Sequence, residues 1–94
     1  MSEPVTVIYW RDIPAQVVSG QGRKASRVML PDRFQDAIDR AATRAGLIGS
    51  DEYMAEWRKV QVGEDAVEAV AAQLETEYPD GVLDALIRNY GASS

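Results

Sequence analysis

The chain contains neither cysteine nor histidine. Without thiols there is no disulfide framework, no thiolate metal site and no cysteine nucleophile. Without imidazole it lacks the usual general base near neutral pH and the commonest metal ligand, so no transition-metal site or other cofactor is expected. No apolar run approaches the length of a membrane span. Residues 1–7 have neither the basic start nor the apolar stretch of a signal peptide. A soluble, cytoplasmic protein with no membrane contact is the expectation.

What is present suits a single domain spanning all 94 residues. Apolar residues make up 46% and charged residues 27%, as in ordinary globular chains and unlike disordered ones. Alanine and valine supply most of the apolar total, so the core is built from small side chains. The net charge is −5, and it is unevenly placed. Residues 1–30 carry four basic side chains against two acidic ones, whereas residues 61–94 carry one basic against seven acidic. An acidic whole argues against nucleic acid as a partner, although the basic N-terminal third suits an anionic ligand or an acidic partner.

Along the chain, Val5-Thr6-Val7-Ile8-Tyr9-Trp10 is β-branched and aromatic and predicts a strand. Its apolar run is too continuous for a strand wet on one side, which places it in the interior of a sheet. Residues 15–19 and 25–30 predict two further strands, joined as an antiparallel hairpin through Gly20-Gln21-Gly22-Arg23-Lys24. Alternation sets Val28 and Leu30 on one face and Arg27 and Met29 on the other.

The period then changes. Asp32 reads as a helix cap, with Gln35 three residues later completing a capping-box pattern. Phe34, Ala37, Ile38, Ala41, Ala42 and Ala45 form one apolar stripe, Asp36 and Arg40 sit four apart on the wet face, and Gly46 ends the helix. Ser50-Asp51-Glu52 starts a short turn of helix, and residues 56–62 predict a fourth strand broken by Gly63. A second long helix opens at Asp65 and shares a face among Val67, Val70, Ala71, Leu74 and Tyr78. Tyr78-Pro79-Asp80-Gly81 has turn chemistry, and a last helix carries Leu83, Leu86, Ile87 and Tyr90. The fold class expected is α+β: a small, mostly antiparallel sheet of three to four strands with two to three helices packed on one face.

Few of these residues carry chemistry. The glycine loop at residues 20–24 lacks Walker spacing and leads into a strand, so no helix N-terminus follows to hold a phosphate. It reads as a hairpin turn, with Arg23, Lys24 and Arg27 as the side chains that would face an anion. The carboxylate pairs Asp36 with Asp39, Asp51 with Glu52, and Glu64 with Asp65 fall on helix starts or wet faces, where solvation and the helix dipole account for them. Tyr9, Trp10, Arg11, Asp12 and Gln16 concentrate amphipathic aromatics, a guanidinium and a carboxylate at a strand end and turn. Tyr, Trp and Arg dominate binding hot spots, so this string is the candidate recognition surface. Trp57 and Arg58 repeat the pairing and are candidates to sit beside it on the sheet.

The string Tyr9-Trp10-Arg11-Asp12-Ile13-Pro14-Ala15-Gln16, followed by Gly22-Arg23-Lys24 and then by Phe34-Gln35-Asp36-Ala37-Ile38-Asp39-Arg40-Ala41-Ala42, resembles the small bacterial virulence-factor domain family over about residues 5–80. That family includes the C-type conserved virulence factors, where the domain is joined to HEAT-like helical repeats. The family name records a phenotype and brings no catalytic residues with it. The resemblance implies an accessory role beside a folate- or corrinoid-dependent methyl-transfer enzyme.

Three functions are thereby ordered. The first is a non-catalytic accessory module that binds a protein partner through the surface around Tyr9 and Gln16. The second is a subunit for a small anionic ligand, using Arg11, Arg23, Lys24 and Arg27. An enzyme working through carboxylates alone comes last.

Overall fold

β-Branched pairing across neighbouring strands organises the sheet. In the computed structural model, which describes residues 4–20, 26–63 and 66–92, β1 (Val5–Trp10), β2 (Ile13–Ser19), β3 (Ser26–Met29) and β4 (Trp57–Gly63) form one antiparallel sheet in the order β3-β2-β1-β4. The register sets Val60, Val7, Val17 and Val28 in one row across all four strands. Val7 and Val17 are fully buried, as cross-strand pairing of branched side chains on a covered face requires. The next row, Lys59, Ile8, Gln16 and Met29, is half-buried or exposed and forms the opposite face. β1 lies between two strands, as its continuous apolar run predicts.

Among the described residues, four helices complete an α+β fold: α1 (Asp32–Arg44), α2 (Asp51–Ala55), α3 (Val67–Glu77) and α4 (Asp80–Arg88). α3 lies over the valine face, where Val70 and Leu74 share a hollow with Val7. α1 packs on β2 and α4 and buries Phe34, Ala37, Ile38, Ala41 and Ala42. Phe34 and Ile38 are wholly inaccessible, as the stripe requires. Gly46, at φ +73°, ends α1 in a Schellman motif: Leu47 N–H bonds to Ala42 O at 2.9 Å and Gly46 N–H to Thr43 O at 3.0 Å. Among the described residues, no helix is long and apolar enough to cross a membrane.

Three local expectations are corrected. β2 begins at Ile13, two residues early, and takes in Pro14. Pairing steps from Ile8–Gln16 to Tyr9–Pro14, so Ala15 is the extra residue of a bulge and the missing proline N–H falls where the ladder is already irregular. Asp32 does not cap α1. Pro31 holds that position, Asp32 is already helical, and Gln35 donates to Asp39 Oδ1 at 3.0 Å instead of reaching back. Asp32 therefore acts through the helix dipole in the first turn. Asp80 and Gly81 likewise belong to α4, because extended Pro79 presents its carbonyl to Val82 N–H at 2.9 Å and starts the helix there. Asp65, expected to open α3, lies outside the described residues; Ala66 holds the N-cap.

Candidate functional site

The β1–β2 hairpin turns on Arg11 and Asp12 alone, since Trp10 pairs directly with Ile13. Such a turn needs a positive φ, and Arg11 adopts +53°. A side chain in that region costs about 1–2 kcal/mol, which its other contacts must offset. Its Nη1 donates to Tyr90 O at 2.7 Å, its Nε lies 3.4 Å from Glu56, and its guanidinium covers the Trp10 ring at 5.1 Å. Asp12 N–H bonds to Gly91 O at 2.9 Å. Arg11 is thus a strut tying the hairpin to the chain beyond α4.

Trp10 is corrected outright as a surface residue. It is 0% exposed, its indole Nε1 donates to Tyr53 O at 2.9 Å, and its ring meets Tyr53 edge-on at 5.8 Å. Trp57 is half-buried and stacks against Tyr53 at 6.1 Å. The bulky aromatics at this end of the sheet fill its core, as their apolar area favours.

Arg58 sits opposite Tyr9 in the register, as anticipated, and is held on three sides. Its Nε donates to Arg11 O at 2.8 Å, its Nη2 to Asp12 Oδ1 at 2.8 Å, and its guanidinium lies 5.1 Å from the centre of the Tyr9 ring. The side chain remains 52% exposed. A guanidinium so held loses little rotamer freedom when it meets a ligand.

Tyr9, Asp12 and Arg58 line one side of a cleft of about 510 Å³. Glu77 and Tyr78 at the end of α3 form the facing wall, and Val60, Val82 and Leu86 supply an apolar floor. Tyr78 is held there by Arg33, which donates to the carbonyls of Tyr78 and Glu75 at the C-terminus of α3. Arg33 also lies 3.5 Å from Asp80 and joins α1 to both later helices. The Tyr9 and Tyr78 hydroxyls both face this cleft, close enough for each to influence the other's ionisation.

Burial pushes the Tyr9 hydroxyl above the usual phenol range, with the Arg58 charge opposing and Glu77 and Asp12 adding to the rise. Burial likewise raises Tyr78, followed by Tyr9, Glu77 and Asp12. Both are neutral phenols at physiological pH, able to donate and accept hydrogen bonds but poorly suited to abstract a proton. A raised folded value means that the folded chain holds these protons more tightly than the unfolded chain. Stability is therefore undiminished below the ordinary phenol value of 10.0 and falls as pH rises through the folded values. Thermal melts from about pH 8 to about pH 11 are expected to show that loss, and Tyr9→Phe is expected to make it shallower.

The remaining expected site residues lie elsewhere. Gln16 pairs with Ile8 on the opposite sheet face, where its Oε1 is buried with no hydrogen-bond partner among the described residues. Arg27 pairs with Val18 at the far end of β2. Arg23 and Lys24 fall outside the described residues.

A family model described as virulence factor matches residues 8–87, most of the chain. The chain belongs to the virulence factor family. No curated protein and no solved structure matches it. All eight residues that line the cleft of this virulence factor domain fall inside the matched span, whereas Gly91 falls outside it. Five of the eight, Val60, Glu77, Tyr78, Val82 and Leu86, had no place in the site expected from sequence. The one local sign was Tyr78, an amphipathic aromatic at a helix end just before Pro79.

Proposed function

We propose that this virulence factor domain is a non-catalytic accessory protein that receives a segment of a protein partner in the cleft between Tyr9, Arg58 and Tyr78. The observation that carries the reading is the arrangement of Arg58. It is half-exposed, fixed by Asp12 and Tyr9, and set above an apolar floor, which is the anatomy of an interface hot spot. The cleft's other polar groups are neutral phenols and solvated carboxylates, which suit binding more than bond-making. The partner we propose is a folate- or corrinoid-dependent methyl-transfer enzyme of the cytoplasm, an extension supported by the family resemblance alone. An anion site is less well supported, since Arg11 is committed at the hairpin and Arg27 stands at the far end of β2.

Val82 tests the proposal, because it is 39% exposed on the floor of the cleft and carries little of the core. Val82→Lys is expected to leave unfolding within about 0.5 kcal/mol of the parent. Partner recovery from native cells, quantified by mass spectrometry, is expected to fall by roughly 30-fold, the loss of about 2 kcal/mol at a hot spot. Undiminished recovery of a stoichiometric partner would remove the cleft from the interface.

A further inference from the structure

The cleft continues beyond its own floor. A second hollow of about 480 Å³ lies along α4 and shares Val82 and Leu86 with the first. Gly81, Ala85, Asn89 and Ala92 complete it, so its surface is made almost wholly of small or apolar side chains. The two hollows adjoin along Val82 and Leu86, the first polar at the sheet end and the second apolar along α4.

Charge at the polar end is unbalanced. Arg58 is neutralised by Asp12 at 2.8 Å. Asp80, nearby at the start of α4, lies 3.5 Å from Arg33. Glu77 accepts a hydrogen bond from Gln73 Nε2 at 3.0 Å but has no cation within ion-pair distance among the described residues. The groove therefore presents one uncompensated carboxylate beside two phenol oxygens, in the part of the chain where acidic residues outnumber basic ones seven to one. An incoming carboxylate would meet the charge of Glu77, and Arg58, though half-exposed, already shares its charge with Asp12 at 2.8 Å. An incoming ammonium or guanidinium meets an open partner and lays its methylene stem over Val60 and Tyr78.

Resting on the cleft being the docking site, we propose that its occupant is an amphipathic cationic segment of the partner protein. A lysine or arginine of that segment pairs with Glu77 between Tyr9 and Tyr78. A bulky apolar side chain further along it fills the hollow over Val82 and Ala85. Charge complementarity sets which segments bind, and the apolar hollow holds them.

The test uses the whole ¹⁵N-labelled chain and three synthetic peptides with the same leucine and phenylalanine positions, interleaved with lysine, glutamate or serine. The lysine peptide is expected to shift the amides of Tyr9, Arg58, Glu77, Val82 and Ala85 and to bind tightest. Its affinity is expected to fall about fivefold in Glu77→Gln, an exposed and isosteric change, and to weaken as NaCl is raised from about 0.05 M to about 0.5 M. Equal or tighter binding of the glutamate peptide at the same amides, or no change in Glu77→Gln, would overturn the cationic occupant while leaving a protein-docking cleft. Shifts confined to residues outside the groove, or none from any peptide at about millimolar concentration, would overturn both.

Discussion

Trp10→Ala is expected to destabilise the domain by about 3–5 kcal/mol, the range for truncating a buried aromatic. The ring is fully enclosed, bonded through Nε1 to Tyr53, packed edge-on against it, and covered by the Arg11 guanidinium. Its removal opens a cavity where β1, the turn before β4 and the chain after α4 meet, and none of these can collapse without breaking the Arg11–Tyr90 and Asp12–Gly91 bonds. A domain of this size has roughly 5–15 kcal/mol of total stability, so the variant should lie near its threshold. Urea titration followed by circular dichroism measures the loss. A change within about 0.5 kcal/mol would mean that Trp10 is a surface residue after all, as its place in an aromatic and arginine-rich string first suggests.

Gly91→Ala is expected to cost about 2–4 kcal/mol, from two separable causes. Gly91 adopts φ +90°, a conformation that L side chains rarely take. A Cβ there would stand 2.7 Å from Trp10 Cζ3 and 3.2 Å from Cε3, and the tryptophan is pinned by its bond to Tyr53 O and by full burial. Gly46 provides the comparison: its φ is +73°, but nothing lies within 4 Å of an added Cβ. Gly46→Ala should therefore cost only the conformational part, about 1–2 kcal/mol. The difference between the two variants, measured in the same titration, is the clash with Trp10. Equal losses would show that the chain after α4 does not press on the tryptophan.

Elements with one dominant period were legible in the sequence. The stripe from Phe34 to Ala42 specified α1 and its buried face, and the unbroken run from Val5 to Trp10 specified a strand flanked on both sides. Punctuation misled where tertiary structure overrode it: Pro14 entered β2 at a bulge, and the turn-like Pro79-Asp80-Gly81 became the start of α4. Composition brought out Tyr9, Asp12 and Arg58, and strand pairing placed Arg58 beside Tyr9. It did not tell them from Trp10, because a string of aromatic and charged residues does not say which members point inward. The rest of the cleft had no local signature. Glu77, Tyr78, Val82 and Leu86 reach it from two helices far along the chain, through packing that Arg33 organises across α1, α3 and α4.

The most direct measurement of the docking cleft is site-specific photo-crosslinking in the native cell, with benzoylphenylalanine placed at one position at a time. Ala85→benzoylphenylalanine puts the reactive group in the groove along α4. Glu68→benzoylphenylalanine puts it on the exposed first turn of α3, about 13 Å along that helix from Glu77. A docking cleft is expected to give a single adduct of discrete mass from position 85, none from position 68, and loss of the adduct when Val82→Lys is added. No adduct from position 85, or the same set of adducts from both positions, would contradict it.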